Sequence, residues 1–235
     1  IQILYMDFRL TEEQLMIQQA ARDFAQIELL PGVIERDEYS KFPTEQVKKM
    51  AELGFLGMMV DPKYGGSGLD SVSYVLAMTE IAKVDASAAV IMSVNNSLVC
   101  AGMEKYCNEE QKMKYLVPLA KGEVIGAFCL SEPEAGSDAS SQKTTAIDKG
   151  DHYLLNGTKN WITHGITGNV AVVLARTGDL LDSHGITAFI VERTAEGFRG
   201  GKKENKLGMR ASETAELIFE NCRVHESQVL GKVGD

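Results

Sequence analysis

The stretch EEQKMKYLVPLAKGEVIGAFCL, residues 109–130, changes period in its middle. Residues 109–121 read as a helix, and from Val124 onward the pattern alternates at every second position. The chain changes character at Gly122–Val124, and the two sides of that point follow different rules.

Toward the N-terminus the segments are helical. Residues 86–106 read as one helix, and another runs from a cap at Asp70 or Ser71 to Lys83. The PKYGGSG stretch, 62–68, is a loop. Residues 43–53 form a helix closed by Gly54 just past its end. Thr11–Glu12–Glu13–Gln14 is a capping box with Leu10 outside it, and Leu15, Ala20, Phe24 and Ile27 follow at helical spacing before Pro31.

Toward the C-terminus come short segments rich in β-branched and aromatic residues: 125–130, 153–156, 170–175, 186–191 and 215–220. Turn signals separate them at 149–151, at Asn156–Gly157, at 177–179 and at 195–197. A helical half followed by a strand half predicts an α+β chain: a helical domain over 6–122, then a small β-barrel or sandwich over 123–235, and no βαβ unit.

Composition narrows the function. The chain has 235 residues, 44% hydrophobic and 24% charged, as soluble globular proteins do. A net charge of -9 argues against a nucleic-acid partner, which selects a basic footprint. By inspection no apolar run approaches the roughly 20 residues that span a bilayer, so no membrane partner is expected. Residues 1–5 lack the features of a signal peptide, and Met6 reads as the natural start. Cys100, Cys107, Cys129 and Cys222 form no CxxC pair, which suits reduced thiols in a cytoplasmic setting. His152, His164, His184 and His225 are isolated, so no metal site is expected.

Two stretches carry possible chemistry. FCLSEPEAGSD, residues 128–138, ends a strand at Ser131 and turns through Ala135, Gly136 and Ser137, where small residues let backbone N–H groups and a hydroxyl approach an anion. From the residues alone, an Asp/Ser-rich strand-ending turn is the more ordinary reading. NGTKNWIT, residues 156–163, puts Trp161 and Thr163 on one strand face, a flat aromatic surface beside a hydroxyl. From composition, a core Trp is the more ordinary reading. Gly65–Gly66–Ser67–Gly68 is no dinucleotide fingerprint. Lys202, Lys203, Lys206 and Arg210 read as a solvated basic loop, with coenzyme A phosphates as the alternative. Met50, Met58, Met59, Met78 and Met92 read as core filler.

Cys129–Leu–Ser–Glu–x–x–Ala–Gly–Ser–Asp–x–x–Ser141 resembles the first signature of the acyl-CoA dehydrogenase family, and Trp161–Ile162–Thr163 follows at the family's distance. LTEEQ (10–14), YGGSGLD (64–70), KLGMR (206–210) and ELIFENCRV (216–224) extend the resemblance along the chain. VIMSVNNSL (90–98) and GKKENKL (201–207) look most like the short-chain, butyryl-type branch. Glu134 stands where many relatives carry Gly.

The resemblance implies FAD as cofactor and α,β-dehydrogenation of a short-chain fatty acyl-CoA, with electrons passed to an electron-transfer flavoprotein. It puts Phe128 to Ser137 around the flavin, Leu130 and Ser131 at its pyrimidine edge, and Gly136 and Ser137 at its pyrophosphate. Ser137 would also face the substrate's pantetheine. Trp161 and Ile162 would lie at the isoalloxazine, with the Thr163 hydroxyl near the hydride-accepting nitrogen. Leu98 would line the acyl pocket, plain helix core being the other reading. The family's catalytic base is a glutamate in a C-terminal helical bundle and is expected beyond Asp235, so no residue here is assigned that role. Relatives are tetramers. A non-catalytic FAD- or acyl-CoA-binding module, or an acyl-CoA oxidase on the same fold, are the alternatives.

Overall fold

The computed structural model describes residues 8–179 and 185–234. The expected start at Met6, the 1–5 stretch and His184 lie outside the described residues. Helix α1, Glu12–Phe24, opens on the expected capping box: the Gln14 N–H donates to Thr11 Oγ1 at 3.2 Å and the Thr11 N–H to Gln14 Oε1 at 3.0 Å. A wider π turn, Ala25–Leu29, continues it. Its buried face is Ala21, Phe24, Ala25 and Leu29, whereas Leu15 and Ile27 of the expected face are exposed. That face is the one turned to α4, Ser71–Ala82, on which α1 packs and whose Ala77 shares the same core. The π turn also rotates every position after Phe24 relative to an unbroken helix.

Helix α2 is Val33–Glu38, and α3, Thr44–Glu52, ends as expected at Gly54. Gly54 has φ +74, and the Phe55 N–H reaches back to Met50 O at 2.9 Å. Asp70 caps α4 by accepting from the Ser73 N–H at 2.7 Å. Helix α5, Ala86–Ser93, runs through a π turn, Val94–Cys100, into α6, Ala101–Tyr106. Helix α7, Glu109–Gln111, continues likewise through Lys112–Leu116 into α8, Val117–Ala120.

Ala86–Tyr106 corrects one sequence expectation, since this helix of 21 residues is long and apolar enough to cross a membrane. Burial argues that it serves as a core helix instead. Ile91, Met92, Val99, Cys100 and Met103 are fully buried, and its centre carries Asn95 and Asn96. Asn95 Nδ2 donates to Leu56 O at 2.9 Å and Leu119 O at 3.1 Å, and its Oδ1 accepts from the Gly126 N–H at 3.1 Å. Asn96 ties Phe55 O, Met92 O and the Met58 N–H in the same way. Both amides satisfy backbone groups that would otherwise be buried unpaired.

The strands are β1 Gly126–Cys129, β2 Thr145–Asp148, β3 His152–Thr163, β4 Val170–Arg176, β5 Ile186–Glu192, β6 Phe198–Lys203, β7 Thr214–His225 and β8 Val229–Leu230. They form one mixed sheet in the order β6-β7-β3-β2-β4-β5-β8, with β1 parallel beside β4. Tyr153 of β3 and Phe189 of β5 are not strand neighbours, yet their rings lie 5.0 Å apart. The sheet therefore curls around a shared core, barrel-like but open between β6 and β8. The expected turn at Asn156–Gly157 is a correction. Strand β3 runs straight through it, opposite a bulge in β7, and Gly is needed because a Cβ on Gly157 would meet Thr144 at 2.4 Å.

Strand β4 is buried on both faces. Ala171, Val173 and Ala175 enter the sheet's own core, while Val170 and Val172 join Val99, Met103, Leu116 and Leu119 of the helices. Burying each such Val, Leu or Met contributes roughly 1.5–3 kcal/mol, so the helical and sheet halves share a core. Met50, Met58 and Met92 are buried core residues as expected, with Met59 and Met78 packed against them.

Candidate functional site

The second half of β3 runs beside β1. The Asn160 N–H donates to Ser131 O at 2.8 Å, Lys159 Nζ lies 3.0 Å from Leu130 O, and His164 Nδ1 lies 2.8 Å from Gly126 O. As one stretch ascends the other descends, which sets 128–131 beside 160–163. The two motifs singled out by sequence, about thirty residues apart in the chain, thus meet at one place.

Alternation divides β1 between two cores. Ala127 and Cys129 point into the sheet core, and the half-buried Phe128 packs toward the helices. Leu130 and Ser131 are half-buried, and Gly136 and Ser137 are exposed. A Cβ on Gly136 would meet nothing within 4 Å. Among the described residues, the side chains of Ser131, Ser137, Thr163 and Trp161 make no hydrogen bond to protein.

Trp161 overturns the core reading of the chain's single tryptophan. It sits at the bulge where β3 slips one residue against β7, between Lys159 and Ile162, with φ +63 and 63% of its surface exposed. A bulky residue in the left-handed region is rare, and such strain concentrates at sites. The bulge also breaks simple alternation: Ile162 is 2% exposed in the sheet core, and half-buried Thr163 lies opposite to it. Only the backbone of Ile162 is therefore available to a ligand. Leu98 is 43% exposed, which removes its helix-core reading. It stands apart from the loop, connected through Val99, which packs against Gly126 of β1.

The base of the 131–142 loop holds residues that sequence reading did not assign. Lys159 Nζ, with no exposed side-chain surface, donates to Glu132 Oε1 at 2.7 Å, Gln142 Oε1 at 2.9 Å and Leu130 O. The Glu132 carboxylate also accepts from the Lys143 N–H at 2.6 Å and the Thr144 N–H at 3.0 Å. Burial pushes the Glu132 carboxyl up, but hydrogen bonds from Lys159, Thr144 and Lys143 outweigh it and hold the group below its ordinary value. Burial pulls Lys159 down, opposed by Glu132. One signal could have revealed the pair. Lys159 shares strand parity with the core residues Tyr153 and Leu155, so a charge stood at a core position.

Further out, Arg176 donates to Ser140 O at 2.5 Å, Gln142 O at 3.2 Å and Asp179 O at 2.9 Å. The Ser140 and Ser141 hydroxyls donate to Asp138 and hold its carboxyl below its ordinary range. Glu134 is exposed and paired with Lys143. The loop's three acidic side chains are thereby committed, and none stands free as a base. The basic 202–210 segment is also more than a solvated loop. Lys203 Nζ donates to Ser40 O at 3.1 Å, Lys206 Nζ to Ser212 O at 2.5 Å and Thr214 Oγ1 at 3.0 Å, and the Arg210 N–H to Asp37 at 2.7 Å.

A helical unit sharing a core with a curled mixed sheet, and a Ser–Glu–x–x–Ala–Gly–Ser–Asp loop beside a bulged tryptophan, define a recognised class. Residues 11–123 match the acyl-CoA dehydrogenase N-terminal domain, and residues 127–222 match the acyl-CoA dehydrogenase middle domain. The chain belongs to the acyl-CoA dehydrogenase family.

It is 46% identical over 229 residues to the short-chain specific acyl-CoA dehydrogenase of Clostridium acetobutylicum, covering 97% of this chain and 60% of that one. The butyryl-CoA dehydrogenase structure from Megasphaera elsdenii superposes with a TM-score of 0.94 at 42% identity, over 97% of this chain and 61% of its own. A chain from the structure described as the electron transferring flavoprotein of Acidaminococcus fermentans superposes with a TM-score of 0.95 at 48% identity, over 97% and 60%. This chain spans about 60% of the length of these relatives.

Proposed function

We propose that this chain is the FAD-holding and part of the acyl-CoA-holding portion of a short-chain acyl-CoA dehydrogenase. Its domains would be 6–122 and 123–235, and its product a trans-2-enoyl-CoA. The observation that carries this reading is Trp161: an exposed, strained aromatic ring beside a loop whose Ser131 and Ser137 hydroxyls have no protein partner among the described residues. These groups fit a nucleotide that combines a flat ring with phosphates. Trp161 would lie on the ring, and Leu130, Ser131, Thr163 and the Ile162 backbone would serve its edge. Gly136 and Ser137 would donate to the pyrophosphate, with Phe128 beneath the loop. Ser137 and Leu98 would meet the acyl-CoA.

FAD, when bound, supplies the acceptor for the substrate's β-hydrogen as hydride. The protein's own part is to orient both molecules and exclude water. The α-proton requires a carboxylate, and Glu132, Glu134 and Asp138 are all committed to partners. The resemblance to the family assigns the base to a glutamate of a C-terminal helical bundle, beyond Asp235. An electron-transfer flavoprotein as acceptor, a tetrameric assembly and a reducing, cytosol-like compartment complete the reading. The four buried free thiols support the last of these.

The test is to load the purified chain with FAD and titrate it anaerobically with butyryl-CoA. Retention of the oxidised-flavin band without bleaching is the expected result. Failure to retain flavin at all counts against the cofactor assignment, and bleaching would locate a working base within these residues.

A further inference from the structure

The cofactor reading explains the loop tip and Trp161 but leaves the buried charge pair beneath them without a task. Lys159 and Glu132 are the site's only ion pair with both side chains almost wholly buried among the described residues, at 0% and 6% exposure. A pair this buried gains little stability over apolar residues of the same size, because desolvation cancels much of the attraction. Its contribution must be sought in geometry.

That geometry is a knot at the neck of one loop. Lys159 binds Leu130 O and Glu132 on the entering side and Gln142 on the leaving side. Glu132 in turn accepts the N–H groups of Lys143 and Thr144, again on the leaving side. The two ends of the loop are therefore joined to each other and to β3. Two residues past Lys159 on that strand stands Trp161, at the bulge.

We propose that Lys159 and Glu132 form a positioning clamp that holds the tip residues Gly136 and Ser137 at a fixed separation from Trp161. The phosphate contacts and the ring contact of one flavin nucleotide are then made together. The proposal rests on the flavin reading above, and it adds that affinity depends on the loop's being fixed before the ligand arrives.

The experiment uses this chain and its single tryptophan. Quenching of Trp161 fluorescence is titrated with FAD, and separately with riboflavin, which has the ring but no phosphate. Glu132→Gln keeps an acceptor for Lys159 but turns an amide N–H₂ toward the N–H donors of Lys143 and Thr144. The expected result is that FAD binding weakens roughly tenfold to a hundredfold, the loss of one or two hydrogen bonds to a charged group, while riboflavin binding is unchanged. Amide exchange at Lys143 and Thr144 should rise in the same variant without any ligand. Gln142→Met, which removes one Lys159 acceptor and leaves the charge pair intact, should show a weaker version of both effects if Glu132→Gln fails to fold.

Equal weakening of both ligands would make the pair a general structural prop and overturn the clamp, as would no weakening of either. Absence of quenching by both ligands in the unaltered chain would remove the flavin reading itself. The exchange measurement then decides alone whether the neck is clamped, and an unchanged exchange rate overturns it.

Discussion

At the neck of the 131–142 loop a lysine with no exposed side-chain surface meets three acceptors, whereas at the tip Gly136 and Ser137 meet no hydrogen-bond partner among the described residues. The two ends of this short segment follow opposite rules. The buried charges at the neck, Lys159 and Glu132, are paired because leaving one unpaired costs free energy. Polar atoms at the tip, and the ring of Trp161, are left open because water or a ligand can serve them. The lesson is a division of labour: the neck fixes shape, and the tip keeps binding capacity.

The largest effect that could break this comparison is at the neck. Lys159→Met strands the Glu132 carboxylate, and removing one partner of a buried pair typically costs about 3–5 kcal/mol. Denaturant unfolding should show a loss of that order, and a loss below about 1 kcal/mol would mean that water reaches the pair.

Acid should act on the same pair more gently. The folded-state value of Glu132 is depressed, so its stabilisation is present above the unfolded glutamate value of about 4.3 and fades as pH falls through the lower folded value. The stability gap between the unaltered chain and Glu132→Gln should narrow in that window. A gap independent of pH would show that the carboxylate's charge contributes nothing.

The smallest effect is expected at the tip. Trp161→Ala removes an exposed ring and relieves some of a left-handed strain, so stability should stay within about 0.5 kcal/mol. The same substitution should weaken FAD binding measured by flavin absorbance. A large stability loss would instead assign the ring to the fold.

The sequence revealed where the chain changes character, because periods of 3.6 and two are local properties. It also named the loop and Trp161 as neighbours in function. What it hid depends on distant partners. Strand β2 has two exposed residues among its four, and β6 carries two glycines and two lysines, so neither shows a clear strand pattern. The Asn156–Gly157 pair has the composition of a hairpin turn, and only distant partners show otherwise: Gly157 lies against Thr144 and faces a bulge in β7. Simple alternation through residues 159–163 lacks the extra residue that turns Trp161 outward. Lys159 is the instructive omission, since a charge at a core position is itself a signal of a buried partner.

The widened turn at Val94–Cys100 has an architectural consequence. A π turn holds one more residue than the α-helical turn it replaces, so the segments on either side are out of phase by about 100°. Ile91 and Met103 both reach the interior across that offset. Deleting a single residue within 94–100 would restore an ordinary helix and leave residues 101–106 facing as they do, with Met103 still inside. Gaps and insertions in descendants of this helix should therefore collect at that turn, the one place where its length can change without rotating the wrong side chains inward.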